Sequence, residues 1–138
     1  MNIVKVEYTI AEQQGFVVYK ADDVYNVLKA HFNPIQEELY LLPVVGQECC
    51  IERLFVGGLA QSSTDPKTLF HLLLTKYPNA SAFIIAHNHP SGNCDPSDTD
   101  KKMTEELNQA SKLLGYALLD HLIFSNLGYY SFFDKGEL

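Results

Sequence analysis

The stretch that decides the fold is Ser81-Ala-Phe-Ile-Ile-Ala-His87-Asn-His89-Pro-Ser-Gly-Asn-Cys-Asp-Pro-Ser97-Asp-Thr-Asp100. Its opening, Ser81 to His87, is a short continuous apolar run. Such a run suits a central strand buried on both faces. Pro90 and Gly92 release the strand and turn the chain through a loop that lasts to Pro96. Ser97 then opens a helix with Met103, Leu107, Ala110 and Leu114 on one face, and Gly115 stands where a helix C-terminus wants it.

Working outward, Asp65-Pro66 begins a helix with a capping acid and a proline at the first helical position. That helix runs to about Tyr77, with Leu69, Leu72, Leu73 and Tyr77 inward, and Pro78-Asn79 breaks it. Upstream, Glu38 to Val45 reads as a buried strand. Pro43 within it removes a ladder donor and implies an edge position or a bulge. Gly46-Gln47 turns the chain, Cys49 to Val56 returns as a partner strand, and Gly57-Gly58 ends it. Nearer the N-terminus, residues 3 to 9 alternate as a strand does, and Phe16 to Tyr19 is a second short candidate. Asp22 to Phe32 carries a helical stripe of Val24, Leu28 and Phe32, stopped by Asn33-Pro34. Downstream, Tyr116 to Phe124 and Tyr129 to Phe133 are strands around the turn Asn126-Leu-Gly128. Strands mixed with three helices predict an α/β or α+β architecture with one main sheet.

The 138 residues fit one domain, 1–138, with residues 1–20 as an extra N-terminal strand region. A hydrophobic share of 46% and a charged share of 20% describe an ordinary globular chain rather than a disordered one. The net charge of −7 argues against a broad grip on nucleic acid, which needs clustered Lys and Arg. Direct nucleic-acid contact is left to a local patch, of which Lys101-Lys102 is the nearest candidate. No apolar run approaches the roughly 20 residues of a membrane span, and the start lacks a secretory pattern, so a cytoplasmic location is expected. Cys49, Cys50 and Cys94 are an odd set with an adjacent pair, better read as reduced thiols than as a disulfide framework. Without a Cys-x-x-Cys pair, a thiolate zinc finger is not expected.

The chemistry gathers around the loop. His87 ends a strand, and His89, two residues on, points to the same face because side chains alternate with period two. Asp100 falls in the first turn of the next helix, within reach of the strand end if the loop folds back. Two imidazoles and one carboxylate make a three-ligand set for one zinc ion, with a fourth position open for water. The site would keep net positive charge and draw the pKa of a bound water toward about 7. Taken singly, each piece has a plainer reading. Ser97-Asp-Thr-Asp100 is an ordinary capping box, and a His-x-His pair alone is often structural.

The combined spacing His87-x-His89-x7-Ser97-x2-Asp100 resembles the metalloprotease motif of the JAMM (JAB1/MPN+) family, and His-Asn-His-Pro-Ser-Gly resembles its RadC branch. Gly57-Gly58, Asp65-Pro66-Lys67, Asn79-Ala80-Ser81-Ala82, Leu113-Leu114-Gly115, Asp120-His121-Leu122-Ile123 and Gly128-Tyr129-Tyr130-Ser131-Phe132 agree with that branch. The resemblance runs from about residue 21 to the end. It implies a cytidine deaminase-like mixed β-sheet flanked by about three α-helices. It implies one zinc held by His87, His89 and Asp100, and a zinc-dependent metallopeptidase or isopeptidase acting on a peptide or protein substrate. Ser97 matches the serine that stabilises the tetrahedral intermediate. The family's general base sits at the start of an apolar strand after the first helix, where Glu38 is the better match and Glu37 the second choice.

The resemblance also carries a rival reading: a non-enzymatic zinc protein associated with DNA repair, recombination or mobile-element maintenance. Full-length RadC proteins carry an N-terminal helix-hairpin-helix region, and this chain has no room for it. The chain therefore resembles the short, stand-alone form, and its acidity weakens the DNA reading further. Asp120-His121 is a candidate pair for orienting a ligand or a structural feature of a sheet edge. Cys94 reads as a small loop residue, His31 and His71 as surface residues on helices. Exposed strand edges leave dimerisation open.

Overall fold

The computed structural model describes residues 6–10, 15–30, 37–56 and 66–138. In chain order the elements are β1 (Val6–Ile10), β2 (Phe16–Val17), α1 (Ala21–Leu28), β3 (Leu39–Val45), β4 (Glu48–Cys49), β5 (Glu52–Val56), α2 (Pro66–Lys76), β6 (Ala82–Asn88), α3 (Asp98–Leu114), β7 (Ala117–Ser125) and β8 (Gly128–Ser131). The strands form one mixed sheet in the order β1-β5-β3-β6-β7-β8, with β4 attached to β3 and β2 to β4. β6 and β7 run parallel, and α3 is the connection between them. The α/β class, with a mixed sheet and three helices, is the one the sequence implies. Phe32, Asn33-Pro34, His31, Gly57-Gly58 and Asp65 lie outside the described residues.

Every position of β6 is buried. It is flanked by β3 and β7, and helices cover both faces of the sheet. On one face Leu39, Leu41, Phe83 and Ile85 pack with Leu69 and Leu73 of α2 and with Met103 and Leu107 of α3. On the other, Tyr40, Leu42, Ile84 and Ala86 pack with Val24 and Leu28 of α1 and with Leu122 and Phe124 of β7. Odd positions of β3 and β6 therefore belong to the α2/α3 side and even positions to the α1 side, as the pleat requires.

Four local expectations change. Pro43 lies neither on an edge nor in a bulge, because β3 is a central strand. The ladder with β6 passes through Pro43 unbroken, opposite Phe83. On the other side, Val44 pairs with Cys49 and Leu41 with Glu52, and Cys50–Ile51 between them are unpaired. That gap falls opposite Pro43, which has no N–H to donate. It splits the single return strand expected over 49–56 into β4 and β5. In α3, Ser111 rather than Leu114 continues the buried stripe of Met103 and Leu107, and Leu114 is exposed. β8 stops at Ser131, so Phe132 is buried while Phe133 faces solvent.

β7 carries a bulge. Phe83 pairs with Leu118, but Ile84 pairs with Asp120, so Leu119 is an extra residue. One inserted residue shifts the alternation by one. Leu118 and His121, three apart, consequently stand opposite Phe83 and Ile85, both on the α2/α3 side. No helix among the described residues is long and apolar enough to cross a membrane.

Ile85 sits fully buried between the two helices and the sheet. Ile85→Ala is expected to lower unfolding free energy by about 2–5 kcal/mol in urea titrations, from lost transfer energy and an unfilled cavity. Leu113→Ala, at a position 87% exposed, should change it by no more than about 0.5 kcal/mol.

Candidate metal centre

His87 is the last α2/α3-side residue of β6, opposite Leu39 at the start of β3. His89 follows just past the strand, and its backbone N–H bonds the Phe124 carbonyl at 2.9 Å, which keeps the extended direction for two more residues. The Gly92 N–H then closes a turn onto the His89 carbonyl, and Gly92 takes φ +88°, a conformation that favours glycine. The turn returns the chain to Ser97, the N-cap of α3.

Here the capping box and the candidate metal motif are one structure. Ser97 Oγ accepts the Asp100 N–H at 3.1 Å, and Asp100 Oδ2 accepts the Ser97 N–H at 2.9 Å. Held this way, the Asp100 carboxylate faces the strand end. Its Oδ1 lies 3.1 Å from His87 Nε2 and its Oδ2 lies 3.3 Å from His89 Nε2. The two Nε2 atoms are 3.1 Å apart. Burial pushes the Asp100 pKa up, but hydrogen bonding and charge from His87, with the Ser97 bonds, outweigh this and hold it well below the carboxylate range.

The two neighbouring glutamates part company. Glu38 shares the parity of Tyr40, on the α1 side. Its carboxyl is buried and accepts the Tyr40 hydroxyl at 2.5 Å, while its backbone N–H bonds Asn88 Oδ1 at 2.6 Å. Glu37 shares the parity of Leu39 and His87. Its exposed carboxylate and the ring nitrogens of His87 and His89 all lie within 4.8 Å of one another, a group able to hold a metal ion. Glu37 also lines a cleft of about 380 Å³ with His89, Pro90, Ser91, Ser97, Thr99 and Asp100. The structure thus brings His87, His89, Asp100, Ser97 and Glu37 to one place, and puts the Glu38 side chain behind the sheet.

Cys94 turns from the histidines toward the β7–β8 turn, with Sγ 3.4 Å from Ser125 Oγ and 3.3 Å from the Gly128 carbonyl. His71 is exposed on α2. Asp120 and His121 fall on opposite faces. Asp120 accepts Ser131 Oγ at 2.6 Å, the His121 N–H at 2.7 Å and the Phe133 N–H at 3.0 Å, which fastens the chain after β8. Desolvation raises its pKa despite those bonds. His121 is fully buried beneath the centre. Its Nε2 is 2.8 Å from His87 Nδ1, and its Nδ1 is 2.5 Å from Thr104 Oγ1. Its ring stacks parallel on Phe132, at 4.8 Å between centroids. Burial pulls the His121 pKa well below the usual histidine value. Thr104 had no sequence signal beyond its place one turn after Asp100 on the inner face of α3.

Residues 18–137 match the RadC-like JAB domain family, and the chain belongs to that family. It is 42% identical over 106 residues to a "UPF0758 protein" of Porphyromonas gingivalis, covering 75% of this chain and 46% of that protein. A "UPF0758 protein" of Thermotoga maritima is 38% identical over 112 residues, covering 75% and 50%. One of Alkaliphilus metalliredigens is 36% identical over 120 residues, covering 85% and 51%. The chain therefore spans about half the length of these curated relatives.

Because Ser97 caps α3, Ser97→Ala is expected to destabilise the fold by about 1 kcal/mol, measured by urea denaturation. Ser97→Thr, which keeps a capping oxygen, should recover most of that loss.

Proposed function

We propose that this chain is a zinc-dependent amide hydrolase of the metallopeptidase type, acting on peptide or isopeptide bonds. The observation that carries the reading is the convergence of His87, His89 and Asp100: the two Nε2 atoms are 3.1 Å apart, and the carboxylate sets Oδ1 3.1 Å from His87 Nε2 and Oδ2 3.3 Å from His89 Nε2. A tetrahedral zinc with ligands at about 2.0–2.1 Å sets its ligand atoms roughly 3.3 Å apart, a spacing that the two imidazole nitrogens and the carboxylate facing them approach. Two neutral imidazoles and one carboxylate match the three-ligand sets of catalytic zinc rather than the closed four-ligand sets of structural zinc. When bound, zinc supplies a positive charge that polarises a scissile carbonyl and acidifies water.

The chain's own groups supply the rest. The Glu37 carboxylate, on the ligand side of the sheet and open to the cleft, takes the proton of the attacking water and passes it to the leaving amine. Family strings favour Glu38 for this step, but the pleat turns Glu38 toward Tyr40, so Glu37 is the base we assign. Ser97 Oγ already accepts the Asp100 N–H. Its own hydrogen is left to donate to the carbonyl oxygen as negative charge develops there. The family membership supports the same class of chemistry.

Zinc content by elemental analysis and turnover of fluorogenic peptide and isopeptide substrates test this. Wild type should carry one zinc, and Asp100→Ala should carry none. Glu37→Gln should keep the zinc and lose about 10²–10⁴ in turnover, the usual contribution of a positioned base. Glu38→Gln should stay within a few-fold of wild type. A reversed order for the two glutamate variants returns the base to Glu38, and undiminished turnover in Asp100→Ala sinks the zinc mechanism altogether.

A further inference from the structure

Beneath the centre lies a buried hydrogen-bond chain whose direction is set by a group that can only accept. Thr104 Oγ1 is 2.7 Å from the Asp100 carbonyl. A carbonyl has no proton, so the threonine spends its single hydrogen there. The 2.5 Å contact between Thr104 Oγ1 and His121 Nδ1 then needs its proton from the histidine, because otherwise two lone pairs would face each other. With the proton on Nδ1, the neutral ring has an acceptor at Nε2. The 2.8 Å contact to His87 Nδ1 is accordingly donated by His87. In the neutral ring this leaves His87 Nε2, the atom facing Asp100 and His89, to offer its lone pair to a metal.

His89 reaches the same state by a simpler route. Its Nδ1 lies 2.8 Å from the Asn93 carbonyl, so it too must donate from Nδ1 and present Nε2. Each histidine is thus set by a carbonyl, one directly and one through two buried side chains. The longer route begins at the backbone of Asp100, itself one of the three converging residues.

We propose that His121, held by Thr104 and by the Phe132 ring, is a positioning residue that fixes the tautomer and ring plane of His87 for metal binding. The proposal rests on reading the convergence of His87, His89 and Asp100 as a metal centre. Metal-bound histidines usually donate their second N–H to a carboxylate, a backbone carbonyl or water. A neutral imidazole in that role orients His87 without adding negative charge beside the metal. The net positive charge that the proposed hydrolysis uses is thereby preserved. The Leu119 bulge is what brings His121 to this side of the sheet.

Two measurements decide it. Long-range proton–nitrogen correlation NMR on metal-free, ¹⁵N-histidine-labelled protein near neutral pH should show His121 protonated at Nδ1 and bare at Nε2. Thr104→Val should abolish that single-tautomer signature. A His121 protonated at Nε2, alone or together with Nδ1, overturns the proposal whatever the protein's activity. Chelator competition with zinc is the second measurement. His121→Phe keeps a ring to stack on Phe132 but cannot accept from His87, and should weaken zinc binding about 10–100-fold. His121→Gln, whose amide oxygen can still accept, should lie between it and wild type. Unchanged zinc affinity in a folded His121→Phe overturns the positioning role. If that variant does not fold, the wild-type tautomer decides. Absence of zinc binding by wild type overturns instead the reading of the site as a metal centre. Zinc binding without any hydrolysis removes only the proposed reaction.

Discussion

The two-residue period of β6 and β3 is the constraint on which the rest of this structure depends. Because β6 is buried on both faces, each of its side chains must belong to one of two layers, and pleating decides which. Phe83, Ile85 and His87 go to the α2/α3 layer, while Ala82, Ile84 and Ala86 go to the α1 layer. The apolar residues lock the register, since a slip of one would turn the hydrophobic set the wrong way. His87 inherits its direction from that lock. The same rule reaches across to β3, where Leu39 pairs with His87, and it separates Glu37 from Glu38. Core packing and site geometry here are consequences of one register.

The capping box shows how a plain structural reading and a functional one can coincide. Ser97 and Asp100 exchange the hydrogen bonds that start α3. Those bonds also hold the carboxylate so that each oxygen faces a different histidine. A carboxylate placed on a flexible loop would lose side-chain entropy on being ordered at each binding event. Here the helix start has already fixed it.

Much of this was legible in the sequence, for reasons that can be stated. The apolar run before His87, the paired histidines and the Ser-x-x-Asp helix start are local signals, each read from spacing alone. The missing donor of Pro43 implies an edge or a bulge, whereas the sheet accommodates it by interrupting one ladder at Cys50–Ile51. The resemblance prefers Glu38 to Glu37, both of which precede the strand, whereas the register with β6 sets the Glu37 carboxylate near the two histidines. Helical period places Leu114 inward, but Ser111 takes the buried place in the last turn of α3 and Leu114 is exposed. Thr104 and His121 lie 17 residues apart on different elements, and their meeting depends on a bulge that no periodicity announces.

That bulge has a consequence for how the chain tolerates changes of length. An insertion or deletion inside a central strand normally reverses the facing of everything beyond it. At Leu119 the extra residue is already absorbed, partly exposed on the surface, and the pairs on either side of it are in step. Removing it would leave Leu118 and His121 facing as they do now, in a regular strand. Alignment gaps among relatives should therefore be admissible at this one place in β7, where lineages with and without the residue can carry the same buried histidine beneath His87.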